Sequence, residues 1–366
     1  MSAVVMSRIA FVLFLLLHGH LSNACTEDEL VFLQVVSRHG STSPKFLYPT
    51  DPNPKELWKE GLDDLTMLGK FQPYALGSFL RARYENFITS DPIEVEVFSS
   101  AKRATVKSAQ SLVTALYAPN PYWEVVKNFS WQPIYIKYEN EDEGKYFSKP
   151  FCLAADTEYE QLLARDSDVI LQTYQTLIQF WQTNSGLELK NLEDVENLFD
   201  ILKTEATYNL TVPEWAKNSW TDMRYLHDFS YAWKFKTRHL QRLRGGPLVD
   251  LTLKTMKKKA AGELENKKVY IYSTHDFNIA AFLSTMGMWN YLRPEPSATI
   301  LIELYDHENN YFVRYLYLNS TMPEREPQYI NLLYVPGCVE FCPLSYVINL
   351  MSNMIPNDWD GECLLL

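Results

Sequence analysis

Two apolar, β-branched runs each stop at a turn rich in ionisable residues. Leu30 to Val36 leads into Arg38-His39-Gly40, and Lys268 to Thr274 leads into His275-Asp276. A third run, Glu94 to Phe98, precedes a helical pattern from about Ala101 to Tyr117 that Ser99 and Ser100 are placed to cap. The second run likewise precedes a small-residue-rich helix, Phe277 to Met286. Strands alternating with helices predict an α/β fold with a mixed, mostly parallel sheet flanked by helices. Open sheets of this kind bind ligands at the carboxyl ends of their strands. Arg38, His39, His275 and Asp276 are therefore expected at one crevice.

The 366 residues suffice for a large domain with an insertion. Leu65 to Tyr84 has helical periodicity, with Pro73 expected to kink it or mark its boundary. A helix starting near Pro44 would add its dipole at the first turn. Residues 150–260 are polar and helical in period, with the segments 158–181, 192–203, 221–243 and 248–259. They predict a mainly helical cap inserted over the sheet's carboxyl edge, between core segments 25–149 and 261–366. Residues 299–318 predict an antiparallel hairpin with a five-residue loop, Asp306 to Asn310.

Residues 1–24 are expected to be a secretory signal peptide: one cation, a short apolar run from Ile9 to Leu17, and Ser22-Asn23-Ala24 before the cleavage point. Losing Arg8 takes the net charge from −11 to −12 (−11 − 1). Such acidity argues against nucleic-acid or anionic-membrane partners, and no later window is apolar enough to span a bilayer. A phosphate site would need its own local cations. The five cysteines suit an oxidising compartment. Cys338 and Cys342 are spaced for a short loop, Cys152 and Cys363 for a long one, and Cys25 is left over; the spacing alone leaves other pairings open. The triplets at Asn128, Asn209 and Asn319 are N-glycosylation acceptors, in keeping with a secreted, extracellular protein.

No Gly-x-Ser-x-Gly elbow, phosphate-binding glycine loop or His-x-x-x-His metal pair is present, and no metal or organic cofactor is expected. A histidine beside an arginine suits phosphoryl transfer, with imidazole attacking phosphorus and guanidinium neutralising its oxygens. Arg38-His39-Gly40 followed by Ser43-Pro44 resembles the histidine acid phosphatases, the two-domain branch of the histidine phosphatase superfamily. Further matches run along the chain, among them Leu65-Thr-x-Leu-Gly69, Trp131-Gln-Pro133, Gly245-Gly-Pro-Leu248, Ser273-Thr-His-Asp276 and Pro336-Gly-Cys338. The resemblance implies a phosphate monoester substrate and a homodimer. It implies that His39 forms a phosphohistidine, that Arg38 and His275 bind the phosphate, and that Asp276 protonates the leaving alcohol. It also pairs Cys152 with Cys363 and Cys338 with Cys342.

Two positions depart from the family pattern. The motif's second arginine is Thr42 here, able to donate one neutral hydrogen bond. A strand-end arginine falls, without gaps, on Phe98, which would make that pocket wall apolar. One cation would then remain where the family has three. Each charge-assisted bond is worth about 1.5–3 kcal/mol, so the pair would cost about 3–6 kcal/mol. Lys45, Lys102 and Arg103 lie nearby in sequence. The leading expectation is a secreted acid phosphatase weakened by these losses. The alternative is a catalytically impaired binding protein on the same fold.

Overall fold

A computed structural model of the chain describes residues 29–139, 144–319 and 329–364; the expected leader and Cys25 lie outside them. The chain begins with β1 (Glu29–Arg38), α1 (Met67–Arg83), β2 (Val95–Ser100), α2 (Arg103–Leu116) and β3 (Ile136–Glu139). Helices follow: α3 (Leu153–Thr173), α4 (Gln175–Ser185), α5 (Leu192–Thr207), α6 (Glu214–Asn218), α7 (Trp220–Trp233) and α8 (Arg238–Ala260). Then come β4 (Val269–Thr274), α9 (Asp276–Thr285), β5 (Thr299–His307), β6 (Asn310–Leu318), β7 (Ile330–Leu333), β8 (Cys342–Pro343), α10 (Leu344–Met351) and α11 (Trp359–Leu364).

The strands form one mixed sheet in the order β3-β2-β4-β1-β5-β6-β7, with β8 beside β6. β3, β2, β4 and β1 are parallel, and the others continue antiparallel. Helices flank both faces, so the architecture expected from the sequence is the one observed. Phe32, Leu33, Val35 and Val36 of β1 are fully buried, which explains an apolar run interrupted only by Gln34; that amide is buried too, donating to the Thr252 carbonyl and accepting from the Tyr272 hydroxyl. Phe32 and Val36 pack with Leu248, Val249, Leu253 and Met256 of α8 on one face. Leu33 and Val35 pack with Leu76 and Leu80 of α1 and Leu112 of α2 on the other. A separate core lies among the intervening helices, around Trp181, Phe199, Leu202 and Met223.

Several local expectations are corrected. α1 runs through Pro73. Proline lacks the N–H that would bond the carbonyl of Gly69, and that carbonyl instead lies against Gly40, 1.9 Å from where a Cβ there would sit. Gly245-Gly246-Pro247 does not break α8. A Cβ on Gly245 would lie 2.1 Å from Thr285 Oγ1 on α9, and one on Gly246 would lie 2.4 Å from the Met354 carbonyl, so these glycines permit close packing. The hairpin loop is two residues, since His307 pairs with Asn310 and Glu308 and Asn309 adopt φ of 51° and 64°. No helix starts near Pro44; the only helical element between β1 and α1 is a short 3-10 turn at Lys55–Leu57. Ser99 and Ser100 end β2 rather than capping α2, whose N-cap is Lys102.

β5 is the antiparallel neighbour of β1, so its first residues lie where β1 ends. Arg38 N–H donates to the Ala298 carbonyl (2.9 Å), and Ser297 N–H donates to the His39 carbonyl (3.0 Å). This register brings the loop between α9 and β5 to the Arg-His-Gly turn.

Candidate active site

β1 and β4 are adjacent and parallel, with Arg38 opposite Thr274, so the two ionisable turns leave the sheet side by side. The rings of His39 and His275 meet edge to face at 5.3 Å between centroids. Arg38 Nη2 lies 3.3 Å from Asp276 Oδ2. Arg38 Nη1 also donates to the Pro294 carbonyl at 2.5 Å. Gly40 is fixed from two sides: its N–H donates to Ser108 Oγ (3.0 Å), and the Gly69 carbonyl leaves no room for a side chain.

His39 Nδ1 is 2.8 Å from the Gly40 carbonyl. Only an N–H can pair with a carbonyl, so the proton sits on Nδ1 and the lone pair on Nε2. Burial, then the neighbouring His275 and Arg38, pull the His39 imidazole down to about 3. Burial also lowers His275, to about 4; Asp276 opposes this, while Arg38, Lys102 and Lys45 reinforce it. The charges of both lysines thus reach the site from exposed positions. His275 Nε2 is 3.0 Å from Ser100 Oγ, which is 2.7 Å from Thr105 Oγ1.

Asp276 opens α9. Its Oδ1 accepts the N–H of Phe277 (2.8 Å), and its Oδ2 accepts Nε of Arg293 (2.6 Å). Burial alone would raise its pKa, but Arg293 and Arg38 outweigh burial and hold the carboxyl well below the usual range. Arg293 Nη1 in turn donates to Asp200 Oδ2 (2.6 Å) and lies 3.5 Å from Glu196, both on α5. His227 of α7 sits between Asp200 (3.2 Å) and Asp228 (2.9 Å). Burial would lower its pKa, but these carboxylates raise it.

Arg293, Asp200, Glu196 and His227 went unnoticed in the sequence, and Ser100 was read there only as a helix cap. Arg293 carries no motif signal; the strand register alone brings it here. Phe98 is not a wall of this site. Its ring packs against Tyr272 (5.5 Å), Tyr270 (5.6 Å) and Phe147 (6.1 Å), because it lies two residues short of the end of β2, on the face it shares with Ser100, and Ser100 at the strand end is the residue that reaches His275. A second guanidinium, Arg293, stands behind Asp276 rather than beside Arg38 at the open turn, and Lys45 and Lys102 lie farther out. Thr42 is half-buried, and its backbone forms an isolated bridge with Leu65. Arg103 faces Asp64 at 3.5 Å.

Cys152–Cys363 and Cys338–Cys342 are both disulfide-bonded. Asn128, Asn209 and Asn319 are exposed. Among the described residues, no group of three or more His, Cys, Asp or Glu is placed to hold a metal ion, and no helix is long and apolar enough to cross a membrane.

The profile of the histidine phosphatase superfamily (branch 2) matches residues 29–318. Human prostatic acid phosphatase is 32% identical, covering 95% of this chain and 92% of that protein. The lysosomal acid phosphatase of Xenopus laevis is 30% identical over 92% of this chain and 79% of its own. The venom acid phosphatase of Apis mellifera is 30% identical over 92% and 88%. Among solved structures, Hafnia alvei phytase in complex with tartrate superposes with a TM-score of 0.70 at 16% identity, covering 94% of this chain and all of that one. The fold is thus shared with the phytase, and the sequence match extends over most of the chain: this protein belongs to branch 2 of the histidine phosphatase superfamily.

Proposed function

We propose that this chain, an acid phosphatase, hydrolyses phosphate monoesters through a phosphohistidine on His39. The carrying observation is the state of that imidazole. A free histidine, with a pKa near 6.5, is mostly protonated at about pH 5 and has no lone pair to attack with. His39, buried and lowered to about 3, keeps Nε2 available in acid, while Nδ1–H stays on the Gly40 carbonyl.

Nε2 attacks phosphorus as the ester P–O bond breaks, and the bonding electrons leave with the ester oxygen. Arg38 neutralises the non-bridging oxygens, His275 donates a hydrogen bond to one of them, and Thr42 is available as a neutral donor. Asp276 protonates the leaving oxygen. A water then attacks the phosphohistidine and gives its proton to Asp276; the N–P bond electrons return to Nε2 and phosphate departs. Falling pH favours both a protonated Asp276 and a substrate monoanion, so an acidic optimum follows.

The expected leader and two disulfides support entry into the secretory route, and we read the protein as extracellular, with residues 150–260 as a helical cap on an α/β core and glycans at Asn128, Asn209 and Asn319. Light scattering tests the homodimer implied by family likeness. An aryl phosphate assay at about pH 5 tests the chemistry: release well above a His39→Ala control supports it, and equal release refutes it. The absent arginine at Thr42 favours a second reading, a binding protein. It expects calorimetric uptake of inorganic phosphate with no turnover.

A further inference from the structure

We infer that Arg293, by tying Asp276 into an ion pair, selects phosphate monoesters whose leaving group departs with little help from a proton: aryl, phenol-type esters over alkyl esters. This rests on the phosphohistidine reading above. A leaving alkoxide must be protonated as it goes, whereas a phenolate departs as an anion.

Both oxygens of Asp276 are already engaged. Oδ1 takes the Phe277 N–H at the positive end of α9, and Oδ2 takes Arg293 Nε at 2.6 Å with Arg38 Nη2 at 3.3 Å. Each of these donors binds the ionised carboxylate more strongly than the neutral acid, so together they oppose protonation of Asp276. A phosphate entering the site can draw Arg38 away from Asp276, but it does not free Arg293. That guanidinium is fixed from its other side by Asp200 at 2.6 Å and Glu196 at 3.5 Å, and it lies 5.0 Å from the centre of the Tyr231 ring. Shared among three carboxylates, Arg293 is not a spare cation for phosphate either. It is a positioning residue that acts through Asp276.

The groups facing Asp276 are Arg38 and His39 from the end of β1, His275 beside it, Arg293 from the loop before β5 and Tyr231 from α7. Lys45 and Lys102 face His275 from farther out. The same loop also offers an aromatic surface: Tyr291 is 69% exposed, its ring lies 5.4 Å from that of Trp289, and Leu292 beside Arg293 is 45% exposed.

The test compares kcat/KM for 4-nitrophenyl, phenyl and ethyl phosphate in wild type, Arg293→Met and His39→Ala. At about pH 5 the wild type should favour 4-nitrophenyl over ethyl phosphate by at least about 100-fold, the worth of a general acid. Arg293→Met should narrow that gap by about tenfold or more, through faster ethyl phosphate cleavage, since each unit of pKa is a tenfold change in protonated carboxyl. The wild type alone also reports: its gap should shrink as pH falls from 6 towards 4. That measurement stands if Arg293→Met does not fold. Similar rates on all three esters, a gap unchanged in a folded Arg293→Met, or a gap that does not move with pH each overturn the inference while leaving the phosphohistidine intact. No turnover above His39→Ala on any ester overturns both.

Discussion

Replacing Glu205 by glutamine should change how the fold's stability depends on pH. Glu205 of α5 is completely buried, with Asp51 of the loop after β1 beside it. Burial first, and Asp51 second, raise its carboxyl from 4.5 to about 8. Below 4.5 the group is neutral in both folded and unfolded chains. Between 4.5 and about 8 the unfolded chain ionises while the folded one does not, so stability present in acid is lost as pH rises, and the loss levels off above the folded value. Each unit corresponds to about 1.4 kcal/mol. Between 4.5 and pH 7 that amounts to about 3 kcal/mol, or roughly 2 kcal/mol once solvent screening near half-buried Asp51 is allowed for. The amide introduced by Glu205→Gln keeps a donor towards Asp51 and does not titrate. Buried His39 and His275 work in the opposite sense: lowered to about 3 and about 4, they cost stability as pH falls below 6.5. Those costs are common to both proteins and cancel in the difference. Melting temperatures of the two, taken from about pH 4.5 to 7, should nearly coincide in acid, with the variant ahead by a few degrees (about 2 kcal/mol) at pH 7. A difference in Tm that stays constant across this range would refute the reasoning.

Further expectations can be checked by standard means. Gly40→Ala puts a methyl 1.9 Å from the Gly69 carbonyl and must displace the turn that carries His39. It should lower kcat on an aryl phosphate by about 100-fold, the cost of roughly 1 Å of misplacement, while circular dichroism still shows a folded protein. Lys45→Ala with Lys102→Ala should raise KM about fivefold with little change in kcat, and added salt should shrink the difference. Cys152→Ser with Cys363→Ser removes a link between the start of α3 and α11 across 211 residues. The loss should be about 2–4 kcal/mol of stability by denaturant titration.

Buried strands and their terminal turns were legible because burial on both faces leaves a nearly continuous apolar run, and Arg38-His39-Gly40 and His275-Asp276 stand just after such runs. Local punctuation was less readable. Pro73 and Gly245-Gly246-Pro247 look like helix breakers, yet the first frees a carbonyl to meet Gly40 and the second lets α8 approach α9. Phe98 was misplaced for a related reason: counting from a motif does not reveal where β2 ends, and Ser100, two residues further along the same face, is the residue at the strand's working end. Arg293 was invisible because nothing local marks it. It reaches Asp276 only because β5 lies antiparallel beside β1 and so starts where β1 stops. Asp200 and Glu196 are helical carboxylates like many others until α5 is placed over that loop.

The central claim is that His39 carries the phosphoryl group, and trapping that intermediate tests it most directly. The enzyme is mixed with a radiolabelled aryl phosphate at acidic pH, quenched within milliseconds into alkali, and digested. The account predicts acid-labile, alkali-stable label on the peptide containing His39, absent from His39→Ala. Turnover with no label on that peptide, or with label on another residue, would contradict it.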